Sequence, residues 1–173
     1  MTDNEQGGPR TLGRLKSVEG HGVVVMQDRF AADPDTVWMA LTDKSRLAQW
    51  LGDFTGDLKV GSTHHSRFHA SGAEGNSRID ACEAPTHFRT TRLDEGGKDG
   101  NVIDVTLKAD GGGTLVALTQ GGLPLKWIAA FGAGMQVHFE DLALHLAGEA
   151  RSDSDARMDE LMPLYEKQGV GAG

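Results

Sequence analysis

The chain has 173 residues, 38% of them apolar and 24% charged, which fits one globular domain and excludes a disordered chain or a run long enough to span a membrane. Seventeen basic against 25 acidic side chains leave a formal charge of −8, the wrong sign for a surface that must neutralise nucleic-acid phosphates. A lone cysteine, Cys82, excludes a disulfide framework and a multi-cysteine zinc site, and the polar N-terminus has no secretory signal, so a cytoplasmic protein is expected.

Residues 1–20 mix glycine, proline and both charges without periodicity and are predicted to form a flexible arm. The domain is predicted over 21–150. It opens with a β-rich stretch from Val23 to Phe30, after which Asp33-Pro34 starts a helix, with Asp at the cap and Pro at the first helical position. Val37, Trp38 and Leu41 form its apolar stripe. Thr42-Asp43 caps a second short helix holding Leu47 and Trp50, closed by Gly52. Strand-like segments follow at about 54–60, 63–70, 76–84, 86–93, 101–109 and 114–121, separated by Gly- and Pro-containing turns, the pattern of an antiparallel meander. Ile128, Phe131, Met135, Phe139, Leu142 and Leu146 then step by three or four, which predicts one long amphipathic helix. In the tail, 151–173, Met158, Leu161, Met162 and Tyr165 suggest a short helix, against which Pro163 counts. Neither tail has enough apolar surface to anchor a core, so both are expected to be dispensable for folding. The class is α+β: a curved antiparallel sheet wrapped on the long C-terminal helix, an arrangement that tends to leave a cavity between them.

Asp33-Pro34, Val37-Trp38, Ala40-Leu41-Thr42-Asp43 and Leu47 with Trp50 resemble the opening of the activator-of-heat-shock-ATPase-like branch of the START/SRPBCC (helix-grip, Bet v-like) superfamily. Glu83-Ala84-Pro85 resembles its mid-sheet acidic-x-Pro turn, Val105 to Thr119 across Gly111-Gly112-Gly113 its penultimate hairpin, and Gly134-Met135 to Leu146 its final helix. The branch usually has Gly-Trp at Gly134-Met135, so one wall here is softer. The resemblance implies a helix-grip fold with a ligand cavity between sheet and long helix.

Taking the family's strand phase, Ile103, Val105 and Leu107, then Val116, Leu118 and Gln120, point inward, as do His64, Ser66 and Phe68, and Phe88, Thr90 and Arg92. The expected wall is Trp38, Trp50, Phe68, Phe88, Phe131, Met135 and Phe139, with His138 bordering it or serving as a hydrogen-bonded core histidine. The expected polar end is His64, Ser66, Thr90, Arg92 and Gln120. An inward Arg92 needs a carboxylate, water or an anionic ligand group, and the alternative is a strand-end arginine reaching solvent. Trp127 reads as a lid or as a core cap. No metal site is expected from His64, His65 and His69, because Arg67 stands between the last two. Glu140 and Asp141 read as solvated helix-face residues, and no cofactor or catalytic constellation is indicated.

Three functions remain open. The first is binding of a small hydrophobic or amphipathic molecule for sensing, carriage or sequestration. The second, implied by the resemblance, is a co-chaperone or other protein-interaction role in a stress response, against which stands the absence of the extra N-terminal domain of the eukaryotic activators. The third is a cyclase- or hydrolase-type enzyme using His64, Arg92 and Gln120 as proton or oxyanion partners.

Overall fold

A computed structural model of the chain describes residues 12–172. Strands β1 (Arg14–Val18) and β2 (His21–Phe30) form a hairpin whose turn holds Glu19 and Gly20 at φ 50° and 80°. Helices α1 (Pro34–Thr42) and α2 (Lys44–Trp50) start where the caps are read from the sequence. The Asp33 carboxylate accepts from the Thr36 N–H, and that of Asp43 from the Arg46 N–H. Six strands follow: β3 (Gly52–Thr55), β4 (Thr63–Phe68), β5 (Glu74–Glu83), β6 (His87–Leu93), β7 (Asp99–Asp110) and β8 (Gly113–Leu123). The first is shorter than the predicted 54–60, since Gly56 turns the chain at φ 99°. Its start, Gly52, lies so close to β4 that a Cβ would sit 2.4 Å from the Arg67 carbonyl oxygen. A 3₁₀ turn (Leu125–Trp127) leads into α3 (Ile128–Leu146), followed by α4 (Ser154–Gln168) and β9 (Gly171–Ala172).

The sheet runs β3-β4-β5-β6-β7-β8-β2-β1-β9, antiparallel throughout except for the parallel β1–β9 pair. Val24, Met26, Val105, Leu107, Val116 and Leu118 point from its concave face into one core with Met135, Phe139 and Leu142 of α3. Ile128, which opens the predicted stripe, is buried, whereas Phe131, its second residue, and Leu146, its last, pack against this core but are only half-buried. This is the expected α+β helix-grip arrangement.

Both tails differ from expectation. The part of the predicted arm that is described contains β1, paired along its length with β2, and Leu15 is buried; residues 1–11 lie outside the described residues. In the C-terminal tail, α4 packs on α3 with Leu161 and Tyr165 fully buried. Pro163 is tolerated because it and Asp159, whose carbonyl it leaves without its helical donor, both face solvent. The Tyr165 hydroxyl accepts from the Gly13 N–H at 2.8 Å and donates to Gln136 Oε1 at 2.6 Å. Arg157 grips Glu140 through two N–H···O bonds of 2.7 and 3.0 Å. Gln168 bonds both Gly13 O and the Leu15 N–H. Glu140 and Asp141 are therefore buried, not solvated: α4 covers the first, and the second accepts from the N–H and hydroxyl of Ser152. Gly132 allows this approach, as a Cβ there would lie 2.8 Å from Leu15 and 2.9 Å from Tyr165.

Candidate functional site in the sheet–helix hollow

Direct cross-strand partners share a face, so the register fixes which side chains line the concave side. One row runs Cys82–Phe88–Val105–Leu118–Met26, and the next Ile79–Thr90–Ile103–Gln120–Val24. Nearer the β3 edge run His64–Ser77–Arg92 and Phe54–Ser66–Gly75. The inward phase read from the sequence is thus correct on β4, β6, β7 and β8, although the ladder is irregular between Ile79 and Ala81 and between Thr91 and Leu93.

Burial along these rows is uneven. Val24, Met26, Val105 and Leu118 are sealed, whereas Phe88, Thr90, Arg92 and Ile103 are only half-buried despite lying inside the sheet. On the long helix, Gly134 shares a face of α3 with Phe131 and His138, both half-buried, and nothing lies within 4 Å of where its Cβ would be. Space therefore remains beside this face of α3. Trp38 meets Phe88 edge-on at 6.0 Å, and Phe68 links Phe54 at 6.1 Å to His138 at 5.5 Å.

The polar residues cluster at one end. Arg92 Nη1 donates to Ser66 Oγ at 3.4 Å, and no carboxylate among the described residues lies within ion-pair distance of its guanidinium. Burial pushes the Arg92 pKa below its ordinary value. Its guanidinium lies across Gly75, where a Cβ would be 2.5 Å from Nη2. His64 is 5% exposed, its ring stacked on Phe54 at 5.5 Å, and its buried Nδ1 has no partner among the described residues. Burial first, then the positive Arg92, holds this imidazole below its usual pKa and neutral at pH 7. Gln120 donates to Asn101 Oδ1 at 3.1 Å, and Thr90 lies one row away from Arg92.

The remaining expected wall residues sit in core contacts. Trp50 donates its indole N–H to Ala40 O and stacks on His145, and Phe139 packs on Phe30 at 5.8 Å. Met135 is buried in the core cluster. His138, half-buried, has a buried Nδ1 with no partner among the described residues, which does not fit a hydrogen-bonded core histidine. Trp127 is 56% exposed, with Lys126 Nζ 5.3 Å over its ring, which is not how a core cap sits. His65 bonds Asn76 and Glu74, and His69 the Ala48 carbonyl. Ser77 and Gly75 are additions the sequence reading missed; carrying the phase from β4 onto β5 through their pairing would have found them. On the outer face, Arg78 joins Asp80 and Asp99, while Asp104 joins His87 and Arg89, ion pairs that brace the sheet. An open groove of about 380 Å³, bordered by Val18, Glu19, His21, Val23 and Asp99, lies apart from the polar cluster.

Burial pushes the His138 pKa down to about 4. The unfolded chain takes up this proton near pH 6.5, the folded one only near pH 4, so the folded state loses stability as the pH falls through that window. His64 and His145, also lowered, act in the same direction, while His87, raised by Asp104, acts against it. The urea midpoint is expected to drop between pH 7 and pH 4.5, and to drop less in His138→Leu. An equal drop in both proteins would assign the acid sensitivity elsewhere.

The family described as Activator of Hsp90 ATPase homolog 1-like protein matches residues 31–147. Among solved structures, CalU16 from Micromonospora echinospora superposes with a TM-score of 0.71 at 20% identity, over 90% of this chain and 94% of that one. The protein encoded by gene BPP1335 of Bordetella parapertussis gives 0.72 at 19% identity, over 98% and 96%. DynU16, a protein of the dynemicin biosynthetic locus, gives 0.65 at 26% identity over 76% of this chain and half of that one. No curated protein matches the chain in sequence. The family match spans most of the chain and these solved structures share its fold, so the chain belongs to the Activator of Hsp90 ATPase homolog 1-like family.

Proposed function

We propose that the protein binds a small amphipathic molecule in the hollow between the sheet and α3. The observation that carries this is the half-exposure of Phe88, Thr90, Arg92 and Ile103 on the concave face, together with the open space beside Gly134, one turn before the His138 that meets Phe68 of the same sheet face. An apolar wall with a few converging polar groups is the usual composition of a small-molecule site, since area supplies affinity and the polar groups set orientation. That one relative at 26% identity comes from a biosynthetic locus favours a small molecule as occupant. Stimulation of a heat-shock ATPase rests on the family's name alone.

Native mass spectrometry of freshly purified protein is expected to show a co-purified small molecule, and 8-anilinonaphthalene-1-sulfonate to bind saturably at one site. Met135→Trp is expected to weaken this bulky probe by about tenfold or more while keeping a cooperative melt, because the larger ring fills the wall beside Gly134. Absence of a co-purified molecule together with no saturable binding by the wild-type protein would exclude the proposal and leave a protein-interaction role.

A further inference from the structure

We propose that Arg92, Ser66 and His64 form a head-group site for a monoanion, a carboxylate carried on an apolar body; this rests on the ligand-binding reading above. Three features meet at this end of the hollow. The Arg92 guanidinium points to the concave face with five N–H donors, of which one reaches a protein acceptor among the described residues, Ser66 Oγ at 3.4 Å. His64, on the same face and joined to Arg92 through the row His64–Ser77–Arg92, keeps a buried Nδ1 with no partner. Gly75 leaves the space in which the guanidinium lies flat. A planar carboxylate matches the arginine fork with two parallel N–H···O bonds, and one of its oxygens is then the acceptor the neighbouring donors lack.

The charge sum selects among anions. His64 is held neutral by its burial and by Arg92, so the cluster carries one positive charge. One negative charge balances it. A phosphate dianion brings a second, uncompensated charge into a partly desolvated end, which costs more than its extra bonds return. A neutral head leaves Arg92 as it stands. The aromatic pair Phe54 and Phe68 beside the cluster, with Phe54 stacked on His64, suits an apolar body next to the head.

The test titrates the full chain with decanoate, decan-1-ol and decyl phosphate at pH 7.5 by isothermal calorimetry. Decanoate is expected to bind at least about tenfold more tightly than decan-1-ol, and more tightly than the phosphate. Arg92→Met, which keeps the apolar stem, is expected to bring decanoate to the level of the alcohol and to leave the alcohol unchanged. Should that variant fail to fold, Arg92→Lys keeps the charge without the fork, and an intermediate preference for decanoate is the supporting result. Equal affinities of decanoate and decan-1-ol in the wild type would overturn the head-group assignment alone. So would a loss of both in Arg92→Met, or a phosphate that binds most tightly. Binding of none of the three would overturn the ligand-binding reading and this assignment with it.

Discussion

Deleting residues 151–173 is expected to cost about 5 kcal/mol or more of folding stability, or to abolish cooperative unfolding outright. Two side chains with no exposed surface, Leu161 and Tyr165, leave with the segment, and the loss of each from a packed site costs about 2–5 kcal/mol. Their removal uncovers Leu15 and the Gly132 face of α3. Glu140 loses the Arg157 fork, and the Gly13 N–H loses the Tyr165 hydroxyl. Urea unfolding of residues 1–150 against the full chain checks the expectation, and a difference under about 1 kcal/mol would mean that α4 rests on the domain without supporting it. Tyr165→Phe isolates the polar share: it keeps the ring and removes the hydroxyl between Gly13 and Gln136, for an expected loss of about 1–3 kcal/mol.

Phe139→Ala should destabilise the protein by about 3–5 kcal/mol, the range for emptying a buried aromatic site. The side chain is 5% exposed, lies 5.8 Å from the ring of Phe30 and belongs to the cluster that joins α3 to β2, β7 and β8. These neighbours belong to a packed sheet and a long helix, which collapse little around the void. Phe131→Ala, on the half-buried face beside the hollow, should cost distinctly less. Equal costs at the two positions would mean that α3 presents a different face to the sheet.

The elements with strong periodicity were legible in the sequence, and those held by distant partners were not. Steps of three or four residues from Ile128 to Leu146 belong to a helix that packs on nearly all sides, and glycine-rich separators marked the meander. The inward phase survived two irregularities: Thr90 and Phe88 keep their partners on either side of the shift at Asp80, and Arg92, which sits at the second, keeps Ser77 as its partner on β5. In contrast, β1 has no apolar alternation of its own and is defined by its pairing with β2. The weight of α4 was hidden because only Leu161 and Tyr165 are fully buried, and its polar bonds reach residues as far as 155 positions away. The same helix covers Glu140, and Ser152 just before it binds Asp141, so two adjacent polar residues whose types alone point to solvent are covered by a distant segment. At the candidate site, residue types and face were readable, but the lack of a carboxylate around Arg92 among the described residues is a fact of three-dimensional spacing that no local pattern contains.

The clasp that α4 closes on β1 also sets an order of events during synthesis. A growing chain makes Leu15 early and Tyr165 some 150 residues later, so the β1 edge and the Gly132 side of α3 stay uncovered while the intervening strands emerge. Closing so long a loop is slow, and an open strand edge beside exposed apolar side chains is a template for pairing with other chains. Lys16 and Arg14 on that strand, together with the surplus of negative charge over the whole molecule, oppose such encounters through solubility and repulsion during the interval before the clasp forms.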